Sequence, residues 1–180
     1  MDYGRHNDPD LASELRQGAG REMAEEAAED EQLTELHRQR RMTLEDRGKE
    51  MVNRGDRVSV EFGGHSFSGS VAAAGSDYVT VDGPGQAADI KIAAARWSIL
   101  PLEHTESQSR VAGVESFQAL LHETSAAGRN VRLALPGGDM VIGSIAVVAD
   151  DNVEVRDVDD RRLIVPTNLI LAIVRSSEAH

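Results

Sequence analysis

The stretch GDRVSVEFGGHSFSGSVAA, residues 55–73, decides the fold. Val58, Val60 and Phe62 alternate with Arg57, Ser59 and Glu61, a period of two that predicts a strand with one buried face. Gly63-Gly64 supplies the positive φ angles of a tight hairpin turn, and Phe67, Gly69, Val71 and Ala73 line the return strand. Val79 and Val81 make a third strand, followed by a Gly83-Pro84-Gly85 loop. Ile90 and Ile92 make a fourth, and Trp97, Ile99 and Leu100 a fifth. Five short strands at this spacing predict a small closed β-barrel over residues 55–101.

The pattern returns about 73 residues later in GRNVRLALPGGDMVIGSIAV, residues 128–147. Val131, Leu133 and Leu135 match the first strand, and Pro136-Gly137-Gly138 the hairpin turn. Gly143-Ser144-Ile145-Ala146 matches Gly69-Ser70-Val71-Ala72, while Asp151, Val153 and Val155 fall on Asp77, Val79 and Val81. Leu163 and Val165 are expected to fall on Ile90 and Ile92, and Ile170 on Trp97. A second barrel unit is thus predicted over 128–176. Each unit follows a helix: Leu44–Val52 precedes Gly55, and a helix carrying Val111, Val114, Phe117 and Leu121 within the linker 102–127 precedes Gly128, a C-cap glycine. A barrel of about 50 residues is marginal alone, so packing between units or between chains should supply the remainder.

Upstream, residues 1–9 read as a disordered tail and residues 10–54 as a charged helical segment. Asp8-Pro9 reads as an N-cap with a proline at the first helical position, and the short helix it starts should fail at Gly18 and Gly20. Glu22, Glu25, Glu26, Glu29, Asp30, Glu31 and Glu35 precede Arg38, Arg40, Arg41, Arg47, Lys49 and Arg54, the order the helix dipole favours. Thr43 with Asp46 resembles a capping box, which predicts a break near Thr43. The apolar stripe is sparse, so this helix should lean one face on a partner or on a barrel. The fold class is therefore mainly β with helices (α+β): two tandem helix-plus-five-strand barrels after a charged helical segment.

Composition narrows the function classes. Of 180 residues, 40% are apolar and 28% charged, a globular balance, but only 3% are aromatic, so the core must be built from Val, Ile, Leu and Ala. The absence of cysteine removes disulfides and thiolate metal sites. With no secretory signal expected and no apolar run near the ~18 residues of a spanning helix, the chain reads as cytoplasmic with no membrane partner. The net charge of -12 opposes a general nucleic-acid coat, and no DNA partner is expected. Residues 1–54 carry 14 acids against 9 bases, whereas 55–101 carry 5 against 3 and 128–180 carry 8 against 6.

No catalytic constellation emerges. The six histidines are scattered, and His122-Glu123 starts like a zinc-protease helix but has Ala126 where the second histidine belongs. Gly18-Ala19-Gly20 lacks a preceding strand and has Met23 at the third glycine position of a dinucleotide loop. Asp150, Asp151, Asp157, Asp159 and Asp160 flank a strand, and Asp159-Asp160 suits a hairpin turn better than a cation site. No catalytic residue, metal site or cofactor is expected, and the chain reads as a non-enzyme.

A helix followed by five strands, with a glycine in the bent second strand at Gly69 and Gly143, resembles the Sm-like barrel family and, more broadly, SH3-like small barrels. Asp151-Asn152-Val153 is similar to the family's loop before the third strand, where the first unit has Asp77-Tyr78-Val79. Asn168, Ile170 and Ile173 are similar to its second motif, with Pro166-Thr167 in place of Arg-Gly. The resemblance implies edge-to-edge or ring-like assembly through strands four and five. The leading expectation is a non-enzymatic adaptor or scaffold that self-associates through its barrels and binds a protein partner through the charged helix. The alternative is an Sm-like RNA-binding regulator in which Tyr78 and Asn152 contact bases and Arg161 and Arg162 contact phosphate. A third possibility, an enzyme site between the barrels, has no residue pattern behind it.

Overall fold

The computed structural model describes residues 23, 27–100 and 113–176. The expected tail 1–9, the short helix after Asp8-Pro9, the glycine pair 18–20 and most of the linker before Gly113 lie outside the described residues. The chain divides after Met42 into two compact units. In the first, helix α1 covers residues 27–41 and exposes Leu33 and Leu36. Glu35 anchors its middle, accepting two hydrogen bonds from Arg38, at 2.8 and 2.9 Å, and one from Gln39 at 2.8 Å.

The second unit opens at the break predicted near Thr43. Helix α2 (Leu44–Arg54) starts with a reciprocal capping box: Asp46 N donates to Thr43 Oγ1 at 3.1 Å, and Thr43 N donates to Asp46 Oδ2 at 2.9 Å. It ends at Gly55, whose φ of 69° is left-handed. Strands β1 (Arg57–Phe62), β2 (His65–Ala74), β3 (Tyr78–Gly83), β4 (Gln86–Lys91) and β5 (Arg96–Ile99) follow, with a one-turn 3₁₀ helix between β4 and β5. Helix α3 (Phe117–Ala127) then precedes β6 (Asn130–Ala134), β7 (Met140–Val148), β8 (Asn152–Asp157), β9 (Arg162–Pro166) and β10 (Ala172–Ser176), again with a 3₁₀ turn before the last strand.

The duplication holds element by element. α3 is 11 residues long, like α2; it starts at a hydroxyl cap, Ser116, and ends at a left-handed glycine, Gly128, φ 62°. β2 and β7 each carry a register shift two residues past the glycine, between Val71 and Ala73 and between Ile145 and Val147. Gly69 and Gly143 are fixed by close approach: a Cβ on either would run into the carbonyl oxygen of Asp82 or Arg156 on the neighbouring strand. The later alignment drifts further than the sequence suggests. The pairs Val79 with Ile90 and Val153 with Val165 occupy corresponding rungs, so Val165, not Leu163, is the counterpart of Ile90. Likewise Ile173, opposite Leu133, corresponds to Trp97, opposite Val60; Ile170 instead follows the 3₁₀ turn.

Among the described residues the ten strands form one open antiparallel sheet in the order β5-β1-β2-β3-β4-β10-β6-β7-β8-β9. The expectation of two separately closed sheets therefore does not hold at the level of strand pairing. Each half has the same internal order, its fifth strand beside its first. The outer edge of β4, which would have to meet β5 to close the first half, is taken instead by β10 of the second half.

The cores follow this arrangement. One cluster is built from Val58, Val60, Phe62, Val79, Val81 and Ile90 under Met51 of α2, and it includes Ala134, Ala172 and Val174 from the second half. The other gathers Leu121, Leu133, Val153, Val155 and Ile173 under Phe117 of α3, and it includes Tyr78 from the first half. Each fully buried aliphatic side chain contributes about 1.5–3 kcal/mol relative to exposure. The alternating stripe read from residues 58–62 and 131–133 points inward in both halves, as the sequence predicts.

Candidate functional site

The seam between the halves is where the fold brings chemistry together. β4 and β10 pair antiparallel with Ile90 opposite Ala172, Asp89 opposite Ile173 and Ala88 opposite Val174. Lys91 N donates to Leu171 O at 2.9 Å, and Lys91 Nζ donates to Thr167 O at 2.6 Å while standing 4.8 Å above the Phe117 ring. At the other end Arg132 Nη2 donates to Gln86 Oε1 at 2.5 Å. Between them lies Asp89, fully buried, whose Oδ1 accepts from Arg175 Nη2 at 2.7 Å and from Thr80 Oγ1 at 2.8 Å. Its Oδ2 has no hydrogen-bond partner. Burial pushes the Asp89 carboxyl above its ordinary value, against the opposing pull of the Arg175 guanidinium and the Thr80 hydroxyl. Burial also lowers the Lys91 ammonium, with Asp77 pulling the other way.

The two ends of the sheet are different. Among the described residues, β9 pairs with β8 on one side and β5 with β1 on one side, and the sheet ends at each. Ile164 on β9 is 72% exposed, Ile99 on β5 is 52% exposed, and Leu163 and Leu100 are each 36% exposed. An open groove beside β5 is lined by Glu61, Phe62, His65 and Arg96, with Arg96 Nη2 2.6 Å from Glu61 Oε2.

The four residues singled out as RNA contacts are placed as follows. Tyr78 opens β3 and Asn152 opens β8, so they are counterparts in the two halves. Tyr78 is 1% exposed: its hydroxyl donates to Val114 O at 3.0 Å and its ring meets Phe117 edge to face at 6.3 Å. It presents no stacking face to solvent. Asn152 is half-buried and donates from Nδ2 to Asp151 Oδ1 at 2.7 Å. Arg161, after the β8–β9 turn, is held by Asp157 at 2.9 Å and Asp159 at 2.8 Å. Arg162 forms a two-pronged pair with Glu154, 2.8 and 2.5 Å, which draws the Glu154 carboxyl below its usual value. Thus Asn152, Arg161 and Arg162 belong to the β8–β9 hairpin, whereas Tyr78 lies under α3 in the core.

Asp159 and Asp160 do form the β8–β9 turn, with Asp160 at φ 60° and Asp157 Oδ1 accepting from the backbone N–H groups of Asp159 and Arg161, both at 2.9 Å. Among the described residues no three His, Asp or Glu side chains are grouped to hold a metal ion. Nor, among them, is any helix long and apolar enough to cross a membrane. What sequence reasoning missed is the Asp89–Arg175 pair. Asp89 sits between Ala88 and Ile90 in a strand whose alternation points it away from the first core, and 85 intervening residues separate it from its partner.

Compared with known proteins, the chain matches no family model and no curated protein.

Proposed function

We propose that this chain is a non-enzymatic adaptor or scaffold, a tandem pair of Sm-like or SH3-like barrel units that self-associates through its sheet edges and offers its charged helix to a protein partner. The observation that carries this reading is the β4–β10 seam. One half already extends the other strand to strand, while the corresponding edges, β9 and β5, are left at the two ends of the sheet. The repeated strand order within each half, together with the glycine in each second strand, supports the barrel kinship. An edge strand with exposed aliphatic side chains is a template for further pairing. The helix α1 supports the second part: it exposes Leu33 and Leu36 on a surface otherwise dense in charge, which suits a partner helix or groove.

The RNA reading draws less support. Arg161 and Arg162 are each occupied by carboxylates, Tyr78 is buried, and the net charge of -12 works against phosphate binding. Light scattering behind a sizing column, on the full chain over a hundredfold concentration range, tests the self-association. The expected result is a mass that exceeds the 19.5 kDa of one chain and rises with concentration. A single-chain mass throughout would refute it.

A further inference from the structure

Helix α1 keeps an apolar pair in solvent: each of its residues but Glu35 is exposed, with Leu33 at 54% and Leu36 at 43%. Its 15 residues, 27–41, lie in the range where an isolated helix is marginal in water, so burial of the leucines against a second surface would stabilise it. Glu29, Leu33, Leu36 and Arg40 follow at steps of four, three and four, which sets them on one stripe. That stripe is apolar only at its centre, with an acid at one end and a base at the other. The whole helix has the same polarity, because Glu29, Asp30, Glu31 and Glu35 all precede Arg38, Arg40 and Arg41. Glu35 and Arg38 pair within the helix at 2.8 Å, and the remaining charges are exposed.

A helix of this pattern is complementary to itself when reversed. A second α1 laid antiparallel, with Leu33 opposite Leu36 of the second copy, gathers all four leucines at the centre. The same register sets Glu29 opposite Arg40 at each end of the stripe, and on the flanks it sets Asp30 beside His37 and Gln32 beside Gln39. Residue 28 then faces residue 41, so the overlap takes in all of α1 but its first residue. Other arrangements lose one of these matches. Parallel pairing sets Glu29 against Glu29 and Arg40 against Arg40. Sliding the antiparallel pair until Leu33 meets Leu33 leaves Leu36 facing Asp30, and sliding it the other way, until Leu36 meets Leu36, leaves Leu33 facing Gln39.

We infer that the partner of helix α1 is the α1 of a second copy of this chain, packed antiparallel with Leu33 opposite Leu36 and Glu29 opposite Arg40. The inference rests on the reading of α1 as a docking helix and names its occupant, on a surface separate from the sheet edges. The contact is isologous: each pairing occurs twice about a two-fold axis, so it closes at two copies. Two leucines from each chain make a small core, so the contact is weak, and the charges at its ends set its direction and exclude the parallel form.

Charge reversals in the full chain test this. Glu29→Arg alone and Arg40→Glu alone each set like charges opposite one another at both ends of the stripe, whereas an equimolar mixture of the two restores an acid opposite a base at both. In light scattering each variant alone should need about tenfold more protein than the wild type for the half-maximal rise in mass, and the mixture should return to within about twofold of the wild type. A variant that had merely lost its helix would not be rescued by the other. The chain has no cysteine, so Asp30→Cys and His37→Cys proteins can be mixed under mild oxidation. The mixture should form a heterodimeric disulfide about tenfold faster than the Asp30→Cys protein oxidised alone, whose two thiols the antiparallel register holds about 13 Å apart along the axis. If the mixed reversals associate as weakly as each alone, or the lone Asp30→Cys protein oxidises as fast as the mixture, the antiparallel pair is wrong. If the wild type and both reversals gain mass alike, α1 takes no part and the inference falls, while assembly through the sheet edges stands. A wild type of single-chain mass at every concentration overturns this inference and edge assembly together; the docking role of α1 then stands only if reversing Glu29 or Arg40 releases a different protein.

Discussion

Arg175 of β10 donates from Nη2 to Asp89 Oδ1 of β4 at 2.7 Å, so a carboxylate buried on one half is answered by a guanidinium on the other. The pair is unequal: Asp89 is fully buried while the Arg175 side chain remains 42% exposed. The acid bears most of the desolvation, which is why burial and not pairing sets the direction of its shift.

A pH dependence follows from that direction. With its native value raised above the ordinary 3.8, Asp89 binds more proton in the folded chain than in the unfolded chain between those two values. Its contribution to stability therefore falls as pH rises through the window and stays at its lower level above it. Asp89→Asn keeps the shape and the bond to Thr80 but carries no charge. Urea unfolding of both proteins from about pH 4 to about pH 8 should show the variant gaining on the wild type as pH rises. A difference that is flat with pH, or that shrinks, contradicts this account of the seam.

Gly69 and Gly143 give a test of the duplication whose sign is diagnostic. Neither glycine has a positive φ, so replacement by alanine at an unobstructed site would stabilise by about 0.4–1 kcal/mol through the unfolded chain. At these two positions the added Cβ meets the backbone of Asp82 or Arg156, which belongs to a paired strand and cannot swing aside. Gly69→Ala and Gly143→Ala should each cost about 1–3 kcal/mol in chemical denaturation. Equal penalties at the two positions are expected, since the obstructing atom is the same in both halves.

How far the sequence could be read follows from what alternation does and does not encode. Val58, Val60 and Val131, Leu133 announce their strands because a one-residue slip would send every side chain to the wrong face. A two-residue slip leaves the faces unchanged. Leu163 and Val165 are both inward by pattern, and only the ladder with β8 shows that Val165 is the match for Ile90. The helix caps were legible since Thr43, Asp46, Gly55 and Gly128 are local signals. The joining of the halves was not, because the bonds that make it run between Lys91 and Leu171 and between Asp89 and Arg175, far apart in the chain. The burial of Tyr78 was not legible for a related reason. Its counterpart Asn152 is polar and half-buried, whereas Tyr78 is covered by α3 from the other repeat.

The capping box of α2 should be measurable by itself. Thr43→Ala removes the acceptor for Asp46 N and leaves the Asp46 carboxylate with half of its reciprocal pair. A loss of about 0.5–2 kcal/mol is expected. Amide hydrogen exchange should locate the loss at the first turn of α2, with the β6–β9 strands unaffected. Faster exchange spread evenly over both halves would mean that the helix start and the sheet unfold as one unit.

Tyr78 ties helix α3 to the first half, and the roles of its hydroxyl and its ring can be separated. The hydroxyl bond to Val114 O works beside Phe117 N donating to Asp77 Oδ1 at 2.7 Å and Ser76 N donating to Glu115 O at 2.8 Å, so the entry to α3 is clamped onto the β2–β3 turn at three points. Tyr78→Phe removes one of the three and keeps the ring against Phe117, for a cost of about 1 kcal/mol. Tyr78→Ala empties a site in the core shared by both halves, for about 3–5 kcal/mol. If the ring served RNA, the phenyl variant would keep both stability and retention on an RNA column at low salt, since stacking needs no hydroxyl. A ring that belongs to the core predicts instead that Tyr78→Phe loosens the amides of Phe117 to Leu120 in hydrogen exchange. That loosening, at unchanged RNA retention, separates a clamp from a contact.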